Sequence, residues 1–530
     1  MFIRWVGVNE CMSISGEPLA PIHDVEPVNR RDKQQPLYTA RKKIHPKRAE
    51  GTFRRFKWFV MAITLGIYYV TPWLRWDRGD YAPDQAVLID LANRRFYFFF
   101  IEIWPQEFYY VAGMLVMAGI GLFLVTSSVG RAWCGYTCPQ TVWVDLFLVV
   151  ERAVEGDRNK RIKLDKDPLS ASKLLKRVTK HSVWLLIAVS TGGAWIFYFA
   201  DAPTLAMAFL AGDAPQVAYM TVGILTATTY VLGGLMREQV CTYMCPWPRI
   251  QGAMLDEHSL TVTYNNWRGE PRSRHQKRSA EEGKSIGDCV DCNACVAVCP
   301  MGIDIRDGQQ LECITCALCI DACNSVMDKV GRERGLISYA TLADYNHNMR
   351  MAMPDGYNAI QPERVRKPDG RLSDSVKHTN IRSILRPRTI AYFVVWAMIG
   401  LAMSYHVANR GRLDLNVLHD RNPLFVTLAN GDIRNGYTLK VLNMMPEPRT
   451  VRVTLSGLPG AEMSLPGTSG HTVDVFYIDV EPDMLKSQRV YIRVKPELLT
   501  DPVIGFDFIA QDIFGSERAT YAARFEAGDR

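Results

Sequence analysis

The sequence predicts a multi-domain α+β protein: a five-span helical membrane domain, a bacterial-ferredoxin-like insert and a C-terminal β-sandwich. Three observations lead to this fold class. Five windows of the 530-residue chain contain no Asp, Glu, Lys or Arg and are long enough for a membrane helix. Eight cysteines between Cys289 and Cys323 have the spacing of a two-cluster ferredoxin. After Tyr405, short alternating apolar segments are separated by turn residues, which is typical of a sandwich.

The apolar windows all lie in the first 405 residues. A bilayer core of about 30 Å requires roughly 17–25 apolar residues in a helix. A helix buried in a large soluble domain is the alternative, but windows 108–130 and 214–236 are too long and too uniformly apolar for it. We therefore predict five membrane spans, at residues 58–74, 108–130, 182–200, 214–236 and 389–405.

The charges around these windows predict a topology. The net charge of +7 could suggest nucleic acid, but the basic residues alternate between successive loops instead. Residues 1–57 contain twelve Lys or Arg against six Asp or Glu, residues 131–180 contain eleven against six, and residues 75–107 contain four against six. This positive-inside pattern predicts a multi-pass protein of a bacterial inner membrane, with the N-terminus and cysteine module in the cytoplasm and the C-terminal domain in the periplasm. We expect the lipid bilayer as a partner and no nucleic acid.

Composition shifts along the chain suggest where the domains begin and end. The polar, proline-containing start and the similar stretch before the last span are interpreted as an arm and a linker. The predicted organisation is a disordered basic cytoplasmic arm (1–55), a four-span membrane domain (56–255), a cytoplasmic ferredoxin domain (256–350), a linker (351–388), a fifth transmembrane helix (389–407) and a periplasmic sandwich (408–530).

The eight clustered cysteines form two runs of Cys-x2-Cys-x2-Cys-x3-Cys. In two-cluster ferredoxins the fourth cysteine of each run ligates the cluster of the other run. Zinc also binds paired Cys-x2-Cys motifs, but it does not require the third and fourth thiols at this spacing. We therefore predict two 4Fe–4S clusters. One ligand set is Cys289, Cys292, Cys295 and Cys323, and the other is Cys313, Cys316, Cys319 and Cys299.

Four further cysteines repeat a shorter motif. Cys134-x3-Cys138-Pro139 recurs as Cys241-x3-Cys245-Pro246, each time just after a long predicted span. Proline after a cysteine disfavours helix at that cysteine and suits the first turn of a new helix. We expect Cys138 and Cys245 at such breaks, where a helix N-terminus favours thiolate.

These four thiols leave several interpretations open. Thiolates favour Cu(I), zinc or iron–sulfur chemistry, and a dithiol that cycles to a disulfide is a further alternative. Four structural cysteines packed as small apolar side chains are the alternative without chemistry. The matched spacing favours a redox or metal role.

Long stretches around these cysteines resemble a known family. Residues 133–143 read Trp-Cys-Gly-Tyr-Thr-Cys-Pro-Gln-Thr-Val-Trp, and residues 299–306 read Cys-Pro-Met-Gly-Ile-Asp-Ile-Arg. Residues 312–329 begin Glu-Cys-Ile and end Val-Met-Asp-Lys. They are similar to the cytochrome c oxidase accessory protein family, the membrane polyferredoxins of FixG, CcoG or RdxA type. The resemblance runs from about the first predicted span to the C-terminal sandwich.

The resemblance implies a function that spacing alone does not. Members of this family serve the assembly of cbb3-type cytochrome oxidase and are thought to reduce Cu(II) to Cu(I), and their C-terminal domain is immunoglobulin-like. It implies an oxidoreductase whose partners are oxidase subunits or copper chaperones and an unnamed cytoplasmic electron donor. The eight ferredoxin cysteines would be cluster ligands. The candidates for copper handling would be Cys134, Cys138, Cys241 and Cys245.

Two other classes of function remain alternatives. The first is a ferredoxin-type electron-transfer subunit of another membrane redox chain. Such subunits share the membrane spans and the paired Cys-x3-Cys-Pro motifs. The second is a redox-sensing scaffold for oxidase assembly, whose outer sandwich docks the oxidase. The fifth span followed by a sandwich favours the accessory family.

Overall fold

The computed structural model describes residues 10–12, 18–21, 23–27, 43–79, 82–274, 285–353, 359–379, 384–445, 447–467 and 472–528. The chain divides into two compact units. The first contains residues 1–72 and 111–400, and the second contains residues 73–110 and 401–530.

The described helices are mostly in the first unit and the strands mostly in the second. The α-helices are α1 (Thr52–Val70), α2 (Tyr109–Val129), α3 (Ala132–Tyr136), α4 (Pro139–Glu155), α5 (Arg158–Lys166), α6 (Ala171–Ile196), α7 (Ala202–Ala211), α8 (Gln216–Thr229), α9 (Trp247–Met254), α10 (Asn266–Gly269), α11 (Ala294–Val298), α12 (Leu318–Lys329), α13 (Leu342–Ala352) and α14 (Pro387–Ala408). The strands are β1 (Glu10–Met12), β2 (Pro18–Pro21), β3 (Val87–Asp90), β4 (Arg95–Phe98), β5 (Ile101–Ile103), β6 (Thr261–Tyr264), β7 (Ile337–Ala340), β8 (Leu413–His419), β9 (Val426–Thr427), β10 (Ile433–Asn443), β11 (Arg449–Ser456), β12 (Glu462–Ser464), β13 (Val475–Val480), β14 (Leu485–Val494), β15 (Val503–Asp512) and β16 (Arg518–Glu526).

Three described helical segments are long and apolar enough to cross a membrane: Pro105–Val129, Gln216–Met236 and Pro387–Ala408. They coincide with three of the five predicted spans. The other two predicted spans overlap α1 and α6 and continue past the end of each helix, and both helices begin with lysine- and arginine-containing turns before the apolar stretch. The structure therefore supports a membrane protein with three candidate spans, and the count of five stays a prediction.

The cysteine module is organised around two short helices and a small sheet. β6 pairs antiparallel with β7, so the segment before the first cysteine run and the segment after the second run close the module together. α11 and α12 follow the two Cys-x2-Cys-x2-Cys loops and contact each other. The core between them contains apolar side chains such as Val290, Met327 and Leu336, together with several of the cysteines.

Two segments that the sequence suggested were an arm and a linker make specific contacts where they are described. The His23 amide donates to the Cys292 carbonyl at 3.0 Å, and the Lys47 amide donates to the Ala297 carbonyl at 2.8 Å. In the predicted linker, Val365 is fully buried in a small apolar cluster with residues of the module. The described parts of both stretches therefore contact the module, through backbone hydrogen bonds in the first and buried apolar side chains in the second.

The second unit contains an immunoglobulin-like sandwich. One sheet has the order β12-β14-β10-β8 with β9 beside β10, and the other has the order β13-β11-β15-β16. Inward-facing residues such as Leu439, Val453 and Phe508 are fully buried between them. The alternating apolar segments that predict strands are residues 437–442, 450–455, 473–480, 489–494 and 503–510, and they correspond to β10, β11, β13, β14 and β15. The predicted segments do not include β8, although buried and exposed residues alternate along it. They also do not include β16, because its small alanines weaken the apolar pattern.

The predicted outer loop at residues 75–107 is also structured. β3, β4 and β5 form an antiparallel meander in the second unit. Arg95 of β4 pairs with Asp483, which lies between β13 and β14 of the sandwich, at 2.9 Å. The same guanidinium lies over the Trp104 ring, 4.0 Å from its centroid. The meander and the sandwich therefore form one folded body.

Candidate functional site

The two Cys-x3-Cys-Pro motifs interrupt helices as their prolines predict. Cys134 lies in the short helix α3, and Cys138 is the extended residue immediately before α4, which begins at Pro139. In the second motif, Cys241 lies in a π-helical segment, Val240–Met244, and Cys245 is extended ahead of α9. The predicted helix breaks at Cys138 and Cys245 are confirmed. π-Helical turns are frequent at functional sites, and this one lies immediately after a candidate span.

All four thiols of these motifs line one cavity of about 350 Å³. Cys134, Cys138 and Cys241 are half-buried, whereas Cys245 is exposed. The cysteine module completes the wall with Cys313 and its neighbours. The structure thus brings together four thiols that lie in two distant parts of the sequence, and it places a ferredoxin cysteine on the same cavity.

Burial controls the protonation of the deeper thiols. It raises the pKa of Cys134 and of Cys241 to about 12, and the neighbouring Cys138 adds to the shift in both. The Cys134 thiol donates to the Gln251 side-chain oxygen at 3.1 Å. At neutral pH these two thiols are therefore protonated, and a metal that binds them must displace protons.

The four thiols share a cavity without converging on one point. Within the described part of the chain, no three Cys, His, Asp or Glu side chains are arranged to hold a single metal ion. A space of about 350 Å³ with thiols on its wall is large enough for a soft cation, which thiol ligands favour.

The two ferredoxin loops repeat the same backbone conformation. Asp291 and Asn293 in the first loop have left-handed φ values of 48° and 56°, and Thr315 and Ala317 in the second have 55° and 60°. In each loop these are the second and fourth residues after the first cysteine. The repeated turns wind each Cys-x2-Cys-x2-Cys segment around a common point, as a cluster-binding loop requires.

The first set of cysteines is brought together across the two runs. Burial raises the pKa of Cys295 well above its ordinary value, and Cys323 and Cys292 contribute further. Burial also raises the pKa of Cys323, with contributions from Cys289 and Cys292. The last cysteine of the second run therefore lies with the first three of the first run.

The second set mirrors the first. Burial raises the pKa of Cys299 to about 12, with Cys316 and Cys313 as the neighbouring thiols that add to it. Cys319 is likewise shifted by burial and then by Cys316, Cys313 and Cys299, with a last contribution from Cys295 of the other set. The two groups of four are therefore adjacent but separate.

The surroundings of these thiols fit iron–sulfur clusters. Backbone amides of Met301 and Ile303 are directed at the Cys299 sulfur, and the amide of Ile337 is directed at the Cys323 sulfur. Such N–H groups stabilise thiolate and tune the potential of a cluster. Eight buried or half-buried thiols in two groups of four, with amides aimed at sulfur, match the donor set of two 4Fe–4S clusters.

The first Cys-x3-Cys-Pro loop sits directly on the second ferredoxin loop. A Cβ atom on Gly135 would lie 2.6 Å from the carbonyl oxygen of Ile314, closer than such atoms approach. The Tyr136 hydroxyl donates to the Cys316 carbonyl at 3.3 Å, and an Arg131 guanidinium N–H donates to the Cys313 carbonyl, also at 3.3 Å. Close approach of the two backbones is therefore built into this motif.

Replacing Gly135 with alanine should disturb the second ferredoxin loop. The added methyl would meet backbone atoms of Ile314 and Cys316, which cannot move without displacing the neighbouring cysteines. We expect a destabilisation of about 1–3 kcal/mol, the usual cost of overpacking, and a loss of iron from the purified protein. Gly223→Ala is the matched control, since no atom lies within 4 Å of its Cβ position. Equal iron content in both variants would contradict the close approach.

Several residues of this site carry no chemical signal in the sequence. Arg131, Gly135 and Tyr136 lie in or beside the first motif, but only their contacts with the ferredoxin loop show their role. Gln251 is fully buried and accepts from Cys134, although it lies far from that cysteine in the chain. Only proximity to a Cys-x3-Cys-Pro motif could have drawn attention to them.

Comparisons with protein families agree with this arrangement. Residues 236–342 match a 4Fe-4S dicluster domain, and residues 111–155 match a 4Fe-4S binding domain. Residues 403–528 match the IG-like fold at the C-terminal of FixG. The match over residues 111–155 covers the first Cys-x3-Cys-Pro motif, outside the eight-cysteine module.

Curated relatives cover nearly the whole chain. The nitrogen fixation protein FixG of Rhizobium meliloti (strain 1021) is 64% identical over 502 residues, which cover 95% of this chain and 96% of the relative. Protein RdxA of Cereibacter sphaeroides is 52% identical over 83% of this chain and 88% of its own. Protein RdxB of the same organism is 52% identical over 86% of this chain and 90% of its own. With its dicluster ferredoxin domain, its apolar helices and its immunoglobulin-like end, this chain belongs to the FixG/RdxA-type family of membrane iron–sulfur redox proteins.

Proposed function

We propose that this protein reduces Cu(II) to Cu(I) at the cavity lined by Cys134, Cys138, Cys241 and Cys245, and that the Cu(I) serves the maturation of a cbb3-type cytochrome oxidase. The observation that carries the proposal is that Cys313, a predicted cluster ligand, lies on the wall of the same cavity. The resemblance to the oxidase accessory family supplies the copper chemistry and the oxidase as the partner.

The eight ferredoxin cysteines would hold two 4Fe–4S clusters in the interleaved sets described above. When bound, such clusters exchange single electrons, which matches the one-electron change from Cu(II) to Cu(I). Cys299, Cys313, Cys316 and Cys319 would hold the iron–sulfur cluster nearer the four thiols. Cys134 and Cys241 pack against the same group of buried apolar residues, which includes Cys316 and also contacts Cys299, Cys313 and Cys319.

The four thiols would act as soft ligands that favour the reduced copper. Thiolate donors stabilise Cu(I) relative to harder oxygen donors, so the cavity would hold the product of the reduction better than water does. The raised pKa of Cys134 and Cys241 means that binding releases protons. Cys245, the exposed thiol, would be the first to meet incoming copper.

The proposed topology keeps the iron–sulfur module and the four thiols on the cytoplasmic side and the sandwich in the periplasm. The packing of the β3–β5 meander with the sandwich supports it, because two segments in one folded body must lie on the same side of a membrane. The basic character of residues 1–57 and 131–180 gives the direction.

A plain electron-transfer subunit is the second candidate. The 4Fe-4S binding match over residues 111–155 favours it, because that match includes Cys134 and Cys138. In this alternative the four-thiol cavity would take part in electron transfer without handling copper.

The two candidates separate in an assay of copper reduction. Purified protein, reduced with dithionite and freed of excess reductant, is mixed with Cu(II), and Cu(I) is followed by its coloured complex with bathocuproine disulfonate. We expect Cys134→Ser/Cys241→Ser to reduce the rate at least about tenfold with the iron content unchanged, because even the loss of an outer-shell partner of a metal site costs about 10–100-fold. Cys11→Ser, outside both motifs, is the matched control.

Each outcome of this assay bears on the assignment. An unchanged rate in Cys134→Ser/Cys241→Ser would contradict copper reduction at the four thiols. About twelve irons in wild-type protein, falling to about eight in that variant, would instead indicate that the thiols hold a further iron–sulfur cluster.

A further inference from the structure

A second cavity, of about 600 Å³, lies where α1 begins, beside the last turns of α4. It is separate from the four thiols and is not used by the proposed copper chemistry. Ten residues form its wall, among them Arg48, Glu50, Arg54, Arg55, Trp58 and Arg152. Four of these ten residues are arginines, and Glu50 is the carboxylate that stands against them.

Two of the four guanidiniums are already neutralised. Arg54 Nη1 lies 2.9 Å from each of the two carboxylate oxygens of Asp145, and this pair is buried. Arg48 lies 3.3 Å from Glu50, and both side chains are largely exposed. Glu50, the carboxylate of the wall, is therefore already paired with Arg48.

The other two guanidiniums have no carboxylate partner among the described residues. Arg152 makes one long contact, from Nη2 to the Pro46 carbonyl at 3.5 Å, and its Nε–H is buried without an acceptor. Burial, followed by repulsion from Arg54, lowers the pKa of Arg152, whereas Asp145 and Asp157, which form no ion pair with it, oppose this shift. Arg55 is exposed and has no ion pair within the described part of the chain. The cavity therefore carries an excess of positive charge and an unused N–H donor.

The cavity also lies where the chain changes from basic to apolar. Trp58 forms part of its wall and is 41% exposed, and the Arg54 guanidinium lies over its ring, 4.8 Å from the centroid. The predicted first span begins at Trp58, and the next residue, Phe59, is 62% exposed. Arginine and tryptophan at the start of an apolar helix mark the depth of the lipid headgroups.

We propose that this cavity binds the phosphate group of an anionic phospholipid. Arginine forks match phosphate oxygens in a bidentate manner, and basic pockets beside membrane helices suit lipid headgroups. Arg55 and Arg152 would donate to the phosphate, while Trp58, Val149 and Ala153 would contact the glycerol and the first methylenes. A free phosphate or nucleotide shares the chemistry of the phosphate, but not the contact with this apolar wall.

Full-length protein in a neutral detergent provides the test. Phosphatidylglycerol, phosphatidylcholine, inorganic phosphate and ATP are titrated separately, and the binding constant is taken from the shift in thermal unfolding. Lipid retained on the protein is counted by native mass spectrometry. Arg55→Gln/Arg152→Gln is compared with Arg421→Gln/Arg518→Gln, which removes two exposed arginines of the second unit. Arg55→Gln alone removes only an exposed side chain and remains informative if the double variant does not fold.

We expect phosphatidylglycerol to bind wild-type protein, to bind the Arg55/Arg152 variant at least about tenfold more weakly, and to bind the control normally. Phosphatidylcholine should bind wild-type protein and the control variant more weakly than phosphatidylglycerol does. ATP or phosphate could instead bind as tightly as the lipid, and its binding could be lost in the Arg55/Arg152 variant. The cavity would then be a phosphate site, but the phospholipid would be overturned as the molecule that carries the phosphate. If phosphatidylglycerol binds the Arg55 and Arg152 variants as it binds wild type, the site is overturned.

Discussion

Protein carrying Cys289→Ser and Cys323→Ser together should retain about four of its eight irons. The two cysteines belong to different sequence runs, but the structure groups both with Cys292 and Cys295. Removing both should therefore abolish one cluster and leave the other. The measurement is iron and sulfide content per chain after anaerobic purification, with the EPR spectrum of the reduced protein as a second readout.

The matched variant removes one ligand from each group. Cys289→Ser/Cys299→Ser changes two cysteines of the same run, so it should remove both clusters and leave almost no iron. Without interleaving, the two results would be exchanged, and Cys289→Ser/Cys323→Ser would lose both clusters. Zinc in place of iron in wild-type protein would contradict the iron–sulfur assignment altogether.

Replacing Glu151 with glutamine should strongly destabilise the first unit. Glu151 is 1% exposed and lies between three cations: Arg161 Nη2 at 2.6 Å, Arg237 Nη2 at 2.9 Å and Lys180 Nζ at 3.6 Å. Burial alone would raise the pKa of this carboxyl, but the three cations hold it below its ordinary value. Glutamine leaves these cations buried without their shared counter-charge.

We expect a fall of about 3–5 kcal/mol in the free energy of unfolding, the usual cost of breaking a buried ion pair from one side. Chemical denaturation of the detergent-solubilised protein, followed by tryptophan fluorescence, measures it. Asp328→Asn is the control, because Asp328 pairs with Arg334 at 2.7 Å on the surface and both side chains are well exposed. That change should have little effect on the free energy of unfolding, because solvent screens an exposed ion pair. Equal effects of the two substitutions would show that the Glu151 network contributes no more than a surface pair.

The parts of the fold that depend on local sequence could be predicted. Pro139 places a helix start just after Cys138, because proline suits the first turn and restricts the residue before it. The alternation in residues 437–442 and 503–510 predicts strands, and β10 and β15 form there because one face of each is buried between two sheets. Each of these features is determined within a few residues.

Features that depend on distant partners could not be predicted. β16 contains three alanines and reads as weakly apolar, and it becomes a strand because β15 pairs with it over nine positions. The segment around Lys47 reads as a polar arm, and it is ordered because its amide finds a carbonyl of the module. The sequence indicates only a loop at residues 75–107, because Arg95 of the meander pairs with Asp483, which is distant in the chain.

The sequence by itself determined the chemistry available to this protein: eight thiols at ferredoxin spacing, four more ahead of prolines, and apolar stretches that match a bilayer. Cysteine spacing within a loop sets which three thiols of a run can surround one cluster, so this information is local. Only the tertiary structure decided that Cys134 and Cys241 meet in one cavity and that Cys313 forms part of its wall. These residues lie on separate segments, and their proximity depends on how helices and loops pack, which spacing along the chain does not encode.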